Sequence, residues 1–253
     1  MDLFSLKGKT AIVTGGSRGL GLGLTEGLAS AGAKVVITSS SDGIFSAAEE
    51  FRKKGFDVIG MKCDLSADQA TIEAAFHKAV EELGGKLDIL VNNAGVQHFS
   101  NAEEFPMDAW DNIFYVNMRS LFLLCQLAGK YMLAEGSGKI INIASMTSFF
   151  GSVTVPAYAA SKGGVAQLTK ALGNEWASRG VNVNAIAPGY MHTDMTAPRR
   201  ANEASYNAIT TRIPAARWGQ PEDMMGSVIF LASRASDYLS GVILPVDGGY
   251  LVR

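Results

Sequence analysis

KTAIVTGGSRGLGLGLTEGLASAGAKVVIT, residues 9–38, frames the reading of the whole chain. Lys9–Thr14 is a short apolar run that breaks at Gly15, and small residues at helical spacing follow from Leu20 to Ala31. A β-branched run, Lys34–Thr38, comes next. Strand, glycine-rich turn, helix, strand is the repeating unit of a parallel sheet, because a parallel neighbour needs a long crossover. Within the turn, Thr14-Gly15-Gly16-Ser17-Arg18-Gly19-Leu20-Gly21, the glycines at 15, 19 and 21 let the backbone turn tightly. They also let it approach an anion such as a pyrophosphate at the helix N-terminus, where unpaired N–H groups favour negative charge. The spacing is G-x-x-x-G-x-G, not the G-x-G-x-x-G of the commoner dinucleotide fingerprint.

The same alternation continues along the chain. It predicts helices over 44–54, 68–83, 107–133 and 221–231, and one running on from Ala157. Between them it predicts strands over 57–61, 88–91, 139–143, 181–185 and 241–246. With right-handed crossovers this is an α/β, doubly wound parallel sheet of the Rossmann type, in a single domain spanning 1–253. Residues 190–218 lack clean periodicity and hold Pro198, Arg199, Arg200 and Pro214. Long irregular stretches in compact domains are often lids, so a substrate lid is expected there, with a plain surface connection as the alternative.

Composition excludes several classes of partner. A 47% hydrophobic content supports a large core, and a net charge of −2 without a basic run argues against nucleic acid. No apolar segment approaches the roughly 18 residues of a membrane span. The start, MDLFSLKGKT, has no signal-peptide pattern, and Cys63 and Cys125 make neither a disulfide framework nor a metal spacing. A cytoplasmic protein with reduced thiols is expected. His77, His98 and His192 show no ligand spacing, so no catalytic metal is expected.

The stretch SMTSFFGSVTVPAYAASK, residues 145–162, carries candidate chemistry. Tyr158 and Lys162 stand at i and i+4 on one helix face. A phenol has an ordinary pKa of about 10, and an ammonium beside it favours the phenolate. The pair would then exchange a proton with a substrate hydroxyl near neutrality, with Ser145 bonding the same oxygen.

TGGSRGLG, the NNAG at 92–95, Asn117, Ser145, Tyr158, Lys162 and Pro188-Gly189 together resemble the short-chain dehydrogenase/reductase family over essentially the whole chain. KIINIASMTSF, NEWASRGVNVNAIAPGYMHTDM, IPAARWGQPEDMMG and VDGGYLVR resemble its sugar-acid branch, the 2-deoxy-gluconate and 3-deoxy-ketogluconate dehydrogenases and gluconate 5-dehydrogenases. The resemblance implies Tyr158 as general acid/base and Lys162 lowering its pKa while bonding the nicotinamide ribose. Ser145 would hold the substrate oxygen, and Asn117 would support a water leading from Lys162 to solvent. Gly15, Ser17, Gly19 and Leu20 would surround the diphosphate. Asp64, with Leu65 beside it, would accept from the adenine amino group. The stretch from Asn92 through Ala94 to Gly95 would stabilise the fourth strand's end and line the ribose, and Pro188, Gly189, Met191 and Thr193 would meet the nicotinamide. Plainer readings stand beside two of these: Asp64 as a helix cap and Asn117 as a group satisfying backbone inside a helix.

The cofactor reading favours NADP(H) over NAD(H). A carboxylate at the end of the second strand would repel a 2′-phosphate, but Thr38-Ser39-Ser40-Ser41 stands there, with Asp42 arriving later. The Ser39 hydroxyl and the Arg18 charge suit a phosphate. Substrate contacts are expected from His98, Thr147, Tyr190, His192 and Trp218, with Gln97 and Met146 near them. Arg199, Arg200, Arg217 and Arg253 are candidates for a sugar-acid carboxylate. The favoured activity is hydride transfer between a nicotinamide cofactor and a carbonyl or secondary alcohol of a polar hydroxylated small molecule. A 3-oxoacyl thioester reductase and a non-catalytic dinucleotide-binding regulator are the competing readings. The family resemblance implies a homotetramer.

Overall fold

β-Branched and aliphatic side chains fill seven strands in the computed structural model, which describes residues 2–252. They are β1 (Thr10–Thr14), β2 (Lys34–Ser39), β3 (Val58–Lys62), β4 (Ile89–Asn92), β5 (Gly138–Ile143), β6 (Val181–Pro188) and β7 (Ile243–Val246). All pair in parallel, in the order β3-β2-β1-β4-β5-β6-β7. From β1 the chain works outward to β3, then returns to the other side of β1 and works outward again. The direction of winding therefore reverses between β1 and β4, and a crevice opens beyond the carboxyl ends of those two strands.

Alternate strand residues feed two separate cores. Ile12, Val36, Leu90 and Ile140 join one, and Ala11, Val35, Ile37, Ile89, Val91 and Ile141 join the other. The first core is covered by α3 (Gln69–Glu82), α5 (Leu121–Glu135) and α6 (Pro156–Trp176), and the second by α1 (Leu20–Ser30), α2 (Gly43–Lys53) and α9 (Met225–Ala232). Burial on both faces explains why the strands read as nearly continuous apolar runs.

Three expectations need correction. The stretch expected as one helix over 107–133 is α4 (Met107–Phe114), a π-helical turn (Tyr115–Ser120) and α5. Residues 190–218 are largely helical: a 3-10 turn (Asp194–Thr196), α7 (Ala197–Ala201) and α8 (Glu203–Arg212). Their periodicity is obscured because α7 and α8 change direction at Asn202, whose side chain caps α8 by accepting from Ser205 N. Finally, 221–231 starts as a 3-10 turn (Pro221–Met224) before α9 begins.

Candidate active site

The crevice at the winding reversal is a cleft of ≈ 720 Å³. Its floor comes from the turn after β1. Gly15 has φ +66°, where a side chain would be strained, and a Cβ there would lie 2.9 Å from Ala94 Cα. A Cβ on Gly21 would run into the Gly15 carbonyl. The loop therefore folds flat against the start of α1, whose first turn carries no acidic residue and whose N-cap, Gly19, offers no side-chain bond. The unpaired N–H groups of that turn are free to receive an anion, so the residues present fit a dinucleotide's pyrophosphate. The stretch after β4 is stitched to this loop. Thr14 Oγ1 accepts from Asn93 N and Ala94 N, both at 3.0 Å, and Asn93 Nδ2 donates to Thr14 O at 2.9 Å and Gly15 O at 3.0 Å.

Most of the expected cofactor residues meet in this cleft. Gly15, Ser17, Arg18, Gly19 and Leu20 line it on one side, Ser39, Asp64 and Leu65 on another, and Ala94, Gly95 and Thr193 beyond. Asn92 does not. It is buried under the cleft, its Nδ2 donating to Asn142 Oδ1 at 2.9 Å, because as the last residue of β4 it points into the core; Asn93 is the residue that reaches the cleft. Pro188, Gly189 and Met191 line a neighbouring cavity rather than the cleft itself. Asp64 Oδ1 accepts from Ser66 N at 2.9 Å and Ser66 Oγ at 2.7 Å, which holds its carboxyl below the usual range. The helix cap is instead Asp68, which accepts from Thr71 N.

The end of β2 presents hydroxyls. Ser17 Oγ donates to Ser39 Oγ at 3.1 Å, and Thr38, Ser39 and Ser40 line the cleft. Asp42 does not line it and pairs with Lys62 at 3.0 Å. Arg18 reaches Asp194 at 3.7 Å, with both side chains largely exposed, a pairing of little energetic weight.

The neighbouring cavity of ≈ 140 Å³ shares Tyr158, Leu20, Ile143, Gln97, Phe99 and Met195 with the cleft, among others. Tyr158 sits at that junction. Burial pushes its phenol above the ordinary value, and a hydrogen bond with Ser145 acts against the rise. Lys162 does not perform the expected depression of the phenol. Its Nζ donates to Ile143 O at 2.6 Å and lies 5.7 Å from the Tyr158 ring centroid, so the ammonium is aimed at the end of β5. Burial pulls Lys162 down to about 8.

Ser145 leaves β5 in an extended conformation and caps a short 3-10 turn (Met146–Ser148), accepting from Thr147 N at 3.2 Å. Ser148 was missed by sequence reasoning. Its Oγ donates to Lys162 O at 2.7 Å and accepts from Ser145 N at 3.4 Å, tying the serine to the Tyr158 helix. The only signal was its place three residues after Ser145, the spacing of a capping box. Asn117, fully buried in the π-helical turn, accepts from Val96 N at 2.9 Å and donates to Val96 O at 3.0 Å and Ser161 Oγ at 3.1 Å. Its side chain is thereby committed to clamping the segment after β4 onto α6.

The substrate expectations divide. Thr147 and Tyr190 line the cavity; His98, His192 and Trp218 do not. Trp218 is 1% exposed, stacks on Tyr206 at 5.4 Å, lies 5.2 Å from the Tyr190 ring, and donates from Nε1 to Thr210 Oγ1 at 2.9 Å, which makes it a core residue. His192 packs on the edges of Tyr206 and Trp218, and His98 on Phe105. Among the candidate arginines, Arg217 is held by Asp223, Arg200 donates to Thr193 O at 3.0 Å, and Arg199 lines the cavity. Arg253 lies outside the described residues.

A dinucleotide cleft opening on a Ser–Tyr–Lys set defines a nicotinamide-dependent oxidoreductase acting on a CH–OH group. Comparison with known proteins agrees: the family model described as short chain dehydrogenase matches residues 9–204, and the chain belongs to that family. It is 49% identical over 252 residues to the 2-dehydro-3-deoxy-D-gluconate 5-dehydrogenase of Bacillus subtilis (strain 168), covering 100% of this chain and 98% of that one. It is 40% identical to the gluconate 5-dehydrogenase of Gluconobacter oxydans (strain 621H), covering 99% and 98%. Among solved structures, a gluconate 5-dehydrogenase from Burkholderia cenocepacia J2315 in complex with NADP and tartrate superimposes with a TM-score of 0.95 at 40% identity. That match covers 100% of this chain and 98% of the other.

Proposed function

We propose that this enzyme interconverts a secondary alcohol and a ketone on an open-chain sugar acid, with 2-dehydro-3-deoxy-D-gluconate as the first substrate to try and NADP(H) as the preferred cofactor. The carrying observation is the position of Tyr158, at the junction between the dinucleotide cleft and the small cavity that Ser145 lines. When bound, the nicotinamide supplies or accepts the hydride. Ser145 and Tyr158 then hold the substrate oxygen, where negative charge develops as a ketone is reduced. The buried, protonated phenol delivers the proton in that direction and takes it back in the other. Lys162, fixed against Ile143 O, is available to a ribose hydroxyl at the cleft side. The π-helical turn at Asn117 shifts the helical hydrogen-bond register next to Lys162's helix, which supports a part for this turn in a water chain from Lys162.

The preference for NADP(H) is supported by the serine hydroxyls at the end of β2, by Arg18 at the cleft, and by the engagement of Asp42 with Lys62. Arg18→Ala should narrow the gap between NADPH and NADH by about tenfold, the worth of one charge-assisted contact. Titration of both cofactors checks this, and equal binding to the wild type would reject the phosphate site. The function itself is tested by following cofactor absorbance against ketoses, sugar acids and acetoacetyl thioesters. Turnover confined to the thioesters would replace this reading with the acyl reductase.

Two further points belong to the same reading. Within the stretch 190–218, a lid role for 194–201 is supported by its position over the cavity, which Met195, Thr196 and Arg199 line. A homotetramer is supported by the exposed apolar side chains of Met107, Phe122, Phe149 and Val153, and light scattering tests it. No helix among the described residues is long and apolar enough to cross a membrane. Cytoplasmic residence fits the two unpaired thiols, Cys63 and Cys125.

A further inference from the structure

Two of the polar groups that line the small cavity bear on what it binds, and neither has a hydrogen-bond or ion-pair partner among the described residues. The first is Thr147, whose Oγ1 is buried and has no hydrogen-bond partner. Ser145 Oγ accepts from the Thr147 backbone N–H and makes no bond with the Thr147 hydroxyl, so the orphan hydroxyl is not satisfied by the local turn. Burying an unpaired hydroxyl is costly, and such a group in a cavity wall calls for a ligand that bonds to it.

The second is Arg199 on α7. The other arginines near the site are committed: Arg200 to Thr193 O, Arg217 to Asp223, and Arg212 over the Tyr250 ring at 4.6 Å. Arg199 has no carboxylate or hydrogen-bond partner among the described residues. Its guanidinium lies 5.3 Å from the centroid of Phe99, another residue of the cavity wall. Stacking on an aromatic face fixes the plane of the fork and leaves its N–H edges free, which is the geometry that receives a carboxylate through two bonds. Its charge also reaches Tyr190, where burial pushes the phenol up and Arg199 acts in the opposite direction.

Arg199 lines the cavity and not the cofactor cleft, whereas Tyr158 lines both. We propose that Arg199, stacked on Phe99 and assisted by the Thr147 hydroxyl, is the anchor that selects a carboxylate at the end of the substrate remote from the reacting carbonyl. The proposal deepens the sugar-acid reading and rests on it. It gives the enzyme its preference for acids over neutral ketoses or polyols of the same length, and it puts part of the specificity on a five-residue helix rather than on the sheet.

The test separates binding from turnover. Enzyme saturated with NADPH cannot oxidise an alcohol, so titration calorimetry with D-gluconate and with D-gluconamide reads affinity for two ligands that differ in the carboxylate charge. Wild type should favour gluconate by about tenfold or more. Arg199→Met should abolish that preference, weakening gluconate about ten- to a hundredfold while leaving gluconamide within about twofold. Arg199→Lys should recover part of it, because a point charge replaces a fork. Thr147→Val should weaken gluconate more than gluconamide and leave the thermal midpoint unchanged or higher, since no protein hydrogen bond is lost. Equal binding of the two ligands by wild type would overturn the proposal, as would an Arg199→Met variant that weakens both alike. If no sugar acid turns over in the absorbance assay, the proposed activity fails; a charge preference that depends on Arg199 still decides the anchor on its own.

Discussion

The two halves of the site are built on different physical rules. On the cofactor side, between β1 and β4, backbone meets backbone: Gly15 against Ala94, Gly21 against the Gly15 carbonyl, Asn93 bonding the loop carbonyls. On the substrate side, side chains meet side chains. Tyr190, Tyr206, Trp218 and Tyr250 pack with Met146, Ile209 and Ile213 into a satellite core separate from the two that flank the sheet. Backbone approach tolerates almost no change of residue, whereas an aromatic cluster can be rebuilt from other large side chains at similar volume. A fixed cofactor seat beside an adaptable substrate wall is what lets one fold serve many substrates.

The strongest test of that contrast lies at the junction. Tyr158→Phe should cut kcat by about 10²- to 10⁴-fold, the usual worth of a positioned general acid, with cofactor affinity nearly intact. Single-turnover measurements alongside cofactor titration check it, and a variant keeping more than about a tenth of wild-type kcat would remove the role given to Tyr158. Next in size is Gly21→Ala. The added methyl meets a backbone carbonyl that cannot swing aside, so cofactor affinity should fall at least about tenfold and the thermal midpoint should drop. Substituting Tyr206→Phe on the other side should cost far less in both measurements. If the two variants behave alike, the backbone-versus-side-chain contrast is gone.

A third test uses pH. Burial raises the Tyr158 phenol, so in the free enzyme it stays protonated through neutrality. Alcohol oxidation needs the phenolate, and its rate should climb with pH into the alkaline range; ketone reduction needs the phenol and should stay flat through neutrality and fall only in that range. Opposed profiles for the two directions confirm the assignment, and parallel profiles refute it. The smallest effect concerns the lid. Hydrogen exchange should show 194–201 slowing when cofactor and a substrate analogue bind, while 206–212, held by the Trp218 stack and its bond to Thr210, changes little. Uniform protection of both stretches without ligand would leave no lid.

How far the sequence could be read follows the same division. The strands, the glycine turn and the order of crossovers were legible because each depends on residues close in the chain: β-branched runs, glycines at fixed offsets, short connections. Tyr158 and Lys162 were legible for the same reason, being one helical turn apart. Asn92 bonds across to β5 at the strand's end and faces the core rather than the cleft, because β4 runs one residue past the expected Val91. Trp218 and His192 were taken for substrate contacts because aromatic and imidazole groups in an irregular stretch look functional. Their partners, Tyr190, Tyr206 and Thr210, stand up to 28 residues away in sequence, and no local pattern announces the cluster they form. The phenol shift was misjudged in sign for a related reason. Spacing put Lys162 near Tyr158, but the carbonyl of Ile143 that claims its ammonium comes from a different element.

The π-helical turn at Tyr115–Ser120 has a consequence for how this helix can change. It acts as one extra residue spliced between α4 and α5, so the two segments are out of helical phase. Each residue around an α-helix accounts for about 100° of rotation. Deleting any one residue of the turn would leave a regular helix of unbroken hydrogen bonds, by local criteria an improvement. It would also swing all of α4, with Ile113 and Trp110, about a quarter-turn relative to the buried stripe of α5, and carry Asn117 off the Val96 backbone it holds. The enzyme's proton-transfer end is thus set by an insertion in helical phase, a kind of information that substitutions cannot erase and a single deletion can.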